Sequence, residues 1–152
     1  MTFIDSARAN RIVEGVDTTA HAHPFVTKFT EFWRDPSPES LPELLHHDVV
    51  LQQPLAPRVT GIKEAQRQFG RFCSCLPGLH AEVDCWSGAD DLVFIEFTLI
   101  ARLGRETLAW PTVNRLILRD GKATERAAYF DPLVVLPALL RHPSVGWRWL
   151  KP

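Results

Sequence analysis

The chain has 152 residues, 45% of them hydrophobic and 23% charged, which fits one globular domain around a single core. A formal net charge of −1 gives no global field that would draw it onto nucleic acid or a membrane surface, and no apolar run is long enough to span a bilayer. Asp5, Arg8, Arg11, Glu14 and Asp17 interrupt the segment where a secretory signal would need an apolar centre, so a cytoplasmic location is expected.

Residues 1–22 show weak periodicity and read as an arm ahead of one domain over 23–152. A helix is expected from Pro24 to Arg34, because proline suits the first helical position and Phe25, Phe29, Phe32 and Trp33 share one face. Asp35-Pro36 ends it, and Ser37 can cap a short second helix whose apolar side is Leu41, Leu44 and Leu45. A strand over Asp48–Gln53 and a loop marked by Pro54, Pro57 and Gly61 come next. A third helix over Ile62–Leu76 carries Ile62, Ala65, Phe69, Phe72 and Cys73 on one side. Cys73, Cys75 and Cys85 are odd in number and lack zinc-ligand spacing, so reduced thiols are expected, with no metal and no cofactor.

The remainder reads as a meander of strands: Leu79–Trp86, Asp91–Leu103, Glu106–Arg119 and Lys122–Phe130, with Asp120-Gly121 a strong hairpin signal. Asp131-Pro132 caps a terminal helix over Leu133–Leu140, and Gly146–Pro152 is a tail carrying Trp147 and Trp149. Helices followed by mostly antiparallel strands argue for an α+β fold.

Side chains alternate faces along a strand, so the inner face can be read off directly. Val93, Ile95, Phe97, Leu99 and Ala101 form an apolar set in one strand. Leu108, Trp110, Thr112, Asn114, Leu116 and Leu118 form the matching set in the next. The last strand offers Thr124, Arg126, Ala128 and Phe130, and the first offers Val49, Leu51 and Gln53. Gln53 and Asn114 are thus amides on apolar faces, and burying an unpartnered amide costs roughly 2–7 kcal/mol. Each must bond a fixed protein group or water, or else face a pocket and orient a ligand oxygen. Arg126 is the strand charge placed inward, paired either with Glu125 at the surface or with a ligand carboxylate. His46-His47-Asp48 reads as a helix-to-strand turn, where sequential neighbours point apart, with a His–Asp catalytic dyad as the alternative. His21 and His23 read as helix-entry residues, since metal binding by this H-x-H pair would lack a placed partner ligand, and Asp131 reads as a helix cap.

The segments "HPFVTKFTEFW", "LLHHDVVLQQPLAPRVTGIKEAQRQF", "LILRDGKATERAAYFDP" and "LVVLPALLR" resemble the SnoaL-like, ketosteroid-isomerase-like branch of the nuclear-transport-factor-2-like superfamily. The resemblance covers Pro24 to Leu140. It implies a cone, a barrel-like fold in which a curved antiparallel sheet wraps around helices over an interior pocket. It also implies that Gln53 stands where the isomerases hold an Asp general base, Asn114 where they hold an oxyanion-binding acid, and Phe29 where they hold a tyrosine. Phe97, Leu99 and Ala128 stand where the epoxide hydrolases hold Arg and two Asp. The cyclase carboxylate also maps near Ala128. An amide has no useful basicity, so ketosteroid isomerisation by Gln53 is excluded; Gln53→Asp is the substitution expected to restore a base.

The expectation is a protein that takes a small apolar molecule of polyketide, steroid or terpenoid type. Gln53 and Asn114 are its candidate catalytic residues. Phe29, Trp33, Phe97, Leu99, Trp110, Thr112, Arg126, Ala128 and Phe130 are its candidate ligand contacts. Any isomerase, cyclase, lyase or hydrolase activity would then use a non-standard mechanism; the alternative is a non-catalytic binding or interaction module. A homodimer is expected through the outer sheet face of Phe94, Glu96, Thr98, Val113, Arg115 and Ile117.

Overall fold

A computed structural model describes residues 23–150; the expected arm over 1–22, His21 included, lies outside the described residues. The first helix, α1, spans Pro24–Phe32, with His23 Nδ1 accepting from the Phe25 N–H at 3.2 Å. Phe25, Phe29 and Trp33 are buried along its inner face, and Phe32 packs beside them. Ser37 accepts from the Ser40 N–H and caps a 3-10 turn, Pro38–Ser40, that runs into α2, Leu41–Leu44.

Strand β1 spans Leu45–Gln52, three residues longer at its start than the sequence pattern indicates. Leu45 is buried and pairs with Ala123 of the last strand, so His46, His47 and Asp48 lie within a strand rather than a turn. A two-residue strand, β2 at Val59–Thr60, pairs with β1, and α3 follows over Ile62–Cys75. Strands β3 (His80–Gly88), β4 (Leu92–Leu103), β5 (Glu106–Arg119) and β6 (Lys122–Tyr129) complete a sheet of order β2-β1-β6-β5-β4-β3. The sheet is mixed rather than wholly antiparallel, because β1 and β6 run parallel. The long crossover between them, through α3 and the meander, permits that direction.

Two bulges alter the expected faces. The β3 pairing slips between Val83 and Cys85, so Cys85 is exposed and Trp86 turns toward the core instead. The β5–β6 pairing slips between Ile117 and Leu118, so Ala123 sits inward opposite Leu118 while Arg126 and Ala128 stay opposite Leu116 and Asn114. Pro111 in β5 pairs with Thr98 of β4 but lies beyond the end of β6, whose pairing stops at Val113, so one side of the strand is a free edge there, and an edge tolerates proline. Asp120 and Gly121 both have positive φ, 53° and 74°, as a two-residue hairpin turn requires.

Asp131 Oδ1 accepts from the Leu133 N–H at 2.9 Å and caps α4, Pro132–Arg141. The expected tail is instead a further helix, α5, over Pro143–Leu150. It packs closely on α4, for a Cβ on Gly146 would stand 2.9 Å from the Leu139 carbonyl oxygen. That approach brings Trp149 into the core. The free thiols are Cys73, Cys75 and Cys85. No helix among the described residues is long and apolar enough to cross a membrane.

Candidate functional site

The helices cover one face of the sheet, and a cavity remains between them. Phe25, Phe29, Phe32 and Trp33 line it from the first helix, Gln68, Phe69 and Phe72 from α3, and Trp149 from α5. Leu51 and Gln53 line it from β1 and the residue after it, Phe97 and Leu99 from β4, and Trp110, Thr112, Asn114 and Leu116 from β5. Arg126, Ala128 and Phe130 complete the wall from β6 and its end. Every candidate residue read from strand alternation therefore meets the same space. Leu41, Leu44, Leu45 and Ala65 also line it. They belong to the apolar helix faces in the sequence, but nothing there shows that those faces leave a gap.

Ten of the lining residues are aromatic, and several of them meet edge to face. Phe29 meets Phe97 at 5.2 Å between ring centroids, Trp33 meets Phe69 at 5.8 Å, and Phe72 meets Trp149 at 4.8 Å. Trp110 and Trp149 lie 6.1 Å apart. The cavity has a volume of about 60 Å³. Without side-chain movement it has room for about four to six waters at roughly 10–15 Å³ each.

The polar groups on this wall are few and mostly unpartnered. The Arg126 Nη2 donates to Gln53 Oε1 at 2.5 Å. This places Gln53 in a protein hydrogen bond rather than free to meet a ligand, and Arg126 does not pair with Glu125, which pairs with Arg115 instead. Gln68 Nε2 donates to the Pro57 carbonyl at 2.9 Å and ties α3 to the loop after β1. Trp110 Nε1, Thr112 Oγ1, both amide atoms of Asn114, Arg126 Nε and Trp149 Nε1 are buried with no hydrogen-bond partner among the described residues. All five of these residues line the cavity. Asn114 is 0% exposed and does not bond Gln53.

Donors dominate this set: two indole N–H groups, a guanidinium N–H and an amide NH₂, against one amide oxygen and one hydroxyl that can accept. Burial lowers the Arg126 pKa to about 10, which still leaves it a cation at neutral pH. No Asp or Glu is among the lining residues. The wall can thus hold and polarise a ligand's oxygens, but it offers no carboxylate to take a proton from carbon or water. Trp149 is the member that alternation did not reveal, because it comes from a terminal helix that had been read as a tail.

His46, His47 and Asp48 form a second cluster, on the surface. His46 Nδ1 hydrogen-bonds Asp48, and Arg119 Nη2 donates to Asp48 Oδ2 at 3.1 Å. Residues 46 and 48 share a strand face, so it is the i, i+2 pair that meets, not the sequential neighbours. The His46 hydrogen bond first, and Arg119 next, hold the Asp48 carboxyl below the ordinary carboxylate range. The carboxylate is satisfied by these two cationic or donor groups, as in a surface ion cluster. His23 acts as the cap of α1, and Tyr129 is exposed on the outer face beside Arg115.

Comparison with known proteins agrees on the fold. The profile of the family described as SnoaL-like domain matches residues 26–126. A hypothetical protein of ketosteroid-isomerase-like fold from Catenulispora acidiphila, in complex with trimethylamine, superposes with a TM-score of 0.68 at 20% identity, over 75% of this chain and 90% of that one. A putative SnoaL-like polyketide cyclase from Jannaschia gives 0.65 at 18%, over 76% and 90%. An LEH-like epoxide hydrolase from M. tuberculosis gives 0.64 at 18%, over 78% and 89%. No curated protein matches the chain.

Proposed function

The chain belongs to the SnoaL-like domain family, and on that footing we propose that it binds a small, largely apolar, oxygen-bearing molecule inside the cone. One observation carries this reading. The buried side-chain polar atoms that lack a partner among the described residues all belong to residues lining this one cavity. Buried polar groups are normally satisfied, and leaving several unsatisfied costs a fold dearly unless a ligand or water completes them. Aromatic walls supply the apolar contact, and Asn114, Trp110, Trp149 and Arg126 supply the orientation.

Size narrows the class. The space as it stands, room for about four to six waters, suits a one-ring molecule, and a two-ring one needs the aromatic side chains around it to give. A steroid or a four-ring polyketide needs far more room than the cavity offers. The proposed role is binding, since the positions that carry the catalytic acids, and in one case the arginine, of the resembling enzymes are Gln53, Phe97, Leu99, Asn114 and Ala128 here. Any turnover would rest on hydrogen-bond stabilisation of a developing oxyanion by the same donors, without a carboxylate base.

A thermal-shift screen over mono- and bicyclic aromatics, terpenoids, steroids and polyketides tests the proposal. A ligand at one hundred times its Kd should add about 2.7 kcal/mol of stability. Asn114→Leu should weaken any hit. A screen without a hit, or a hit indifferent to Asn114, sinks the reading.

A further inference from the structure

The charges around the cavity are all of one sign. Inside, Arg126 donates from Nη2 to the neutral oxygen of Gln53, its Nε has no partner, and no carboxylate reaches it among the described residues. A guanidinium taken out of water without a counter-charge is held at a cost, and burial accordingly depresses its pKa. Outside, a smaller depression adjoins the cavity and shares Gln53, Gln68, Phe72 and Trp149 with it, so these four stand between the two spaces. Arg71 of α3 and Arg148 of α5 line that depression; both are exposed, and neither forms an ion pair among the described residues. No Asp or Glu lines either space. The chain as a whole carries −1, so this local excess of cations is not a bulk property.

We propose that the cavity takes its ligand as an organic anion, a one- or two-ring body bearing a carboxylate or an ionised enol or phenol, steered in past Arg71 and Arg148 and neutralised inside by Arg126. The inference rests on the binding role proposed above and adds the charge of the ligand to it. An acidic oxygen against Arg126 accepts from Nε and from the indole and amide donors that lack partners, so it answers the donor surplus and the missing counter-charge together. A neutral ligand answers only the first. Arg71 and Arg148, lying in the outer depression, raise the local concentration of anions and the rate of entry rather than the strength of holding.

Matched acid and amide pairs test this on the full chain: benzoate with benzamide, and 2-naphthoate with 2-naphthamide, titrated by calorimetry at pH 7.5. The acid of at least one pair should bind about tenfold or more tightly than its amide, the difference between a charge-assisted and a neutral hydrogen bond. Arg126→Met should abolish that preference. Because Arg126 is internal, a second variant guards against misfolding: Arg71→Gln with Arg148→Gln alters only exposed side chains. It should slow stopped-flow association of the acid several-fold at low salt and flatten its salt dependence, leaving dissociation nearly unchanged. Equal binding of acid and amide overturns the anionic ligand while leaving the binding cavity intact. Failure of every probe to bind at millimolar concentration overturns the binding role, and this inference with it.

Discussion

Asn114 is the residue whose role one substitution decides. It sits on β5 opposite Ile95 on one side and Ala128 on the other, with Leu116 and Thr112 as its neighbours on the same face. Neither its Oδ1 nor its Nδ2 finds a partner among the described residues, and it lines the cavity. Leucine has a similar branched outline and removes both polar atoms. Had Asn114 bonded a fixed protein group, Asn114→Leu would strand that group and cost roughly 1–3 kcal/mol. With no such group, the variant sheds a buried amide that the empty protein satisfies at best with water. Stability should then be unchanged or higher by up to about 1 kcal/mol, a rise in Tm of roughly 2–4 °C for a chain of this size. Ligand affinity should fall by roughly 1–2 kcal/mol, about five- to thirty-fold, the worth of one oriented hydrogen bond. Urea melts of both proteins come first, because they need no ligand. A loss above about 1 kcal/mol with an unchanged slope would refute the reasoning, since it would reveal a structural partner.

Gln53→Leu should behave oppositely: it takes away the acceptor of the buried Arg126 donor and should cost roughly 1.5–3 kcal/mol in the same melts, and a neutral result would mean that the Gln53 contact is incidental. Burial, with Glu39 adding to it, pushes the Cys73 thiol from 9.0 up to about 11, so on raising the pH the unfolded chain ionises first. The Cys73 contribution is therefore intact below about pH 9 and lost between about 9 and 11, and Cys73→Ala should flatten the stability profile in that window; an unaltered profile counts against it. On the outer sheet face Phe94 and Leu92 are exposed, with Val113 and Ile117 half-buried beside them, and a homodimer through this face should sediment as such at tens of micromolar; a monomer there removes it.

Much of the site was legible because period-two alternation in β4 and β5 is unbroken over the cavity. Phe97, Leu99, Trp110, Thr112 and Asn114 could be assigned to one wall from sequence alone, and the cone follows from element order. The misreadings have local causes. The bulges in β3 and β6 insert a residue and exchange the faces, which is why Cys85 is outside and Ala123 inside. Leu45 satisfies a helical and an extended pattern equally well. Only its pairing with Ala123, 78 residues away, decides for the strand and brings His46 and Asp48 onto one face. The segment after Pro143 is short and amphipathic, and it is helical because Gly146 lets it lie on Leu139, a contact no local pattern announces. Trp149 was missed for that reason, and the Gln53–Arg126 bond because β1 and β6 are far apart in sequence.

That bond also changes what a carboxylate would do at position 53. From the resemblance alone, Gln53→Asp restores the general base of a ketosteroid isomerase. In the structure the side chain at 53 meets the Arg126 guanidinium, and an Asp there would have a cation for a neighbour. An opposite charge at such range lowers a carboxyl pKa by roughly one to three units. The new group would therefore sit well below the ordinary Asp value and would be too weak a base to take a proton from a carbon acid at a useful rate. It would also neutralise the cavity's cation, so anion binding should be lost as well. Gln53→Asp is therefore expected to be no more active on a Δ5-ketosteroid than the native chain and no less stable, since an ion pair replaces a neutral hydrogen bond. The double variant Gln53→Asp with Arg126→Met separates the two effects: without the guanidinium the carboxyl is left in an apolar wall, its pKa rises, and basicity returns at a cost in stability. Absorbance at the conjugated enone, followed for all three proteins, decides the matter. Efficient turnover by Gln53→Asp alone would mean that Arg126 does not govern the charge at this position.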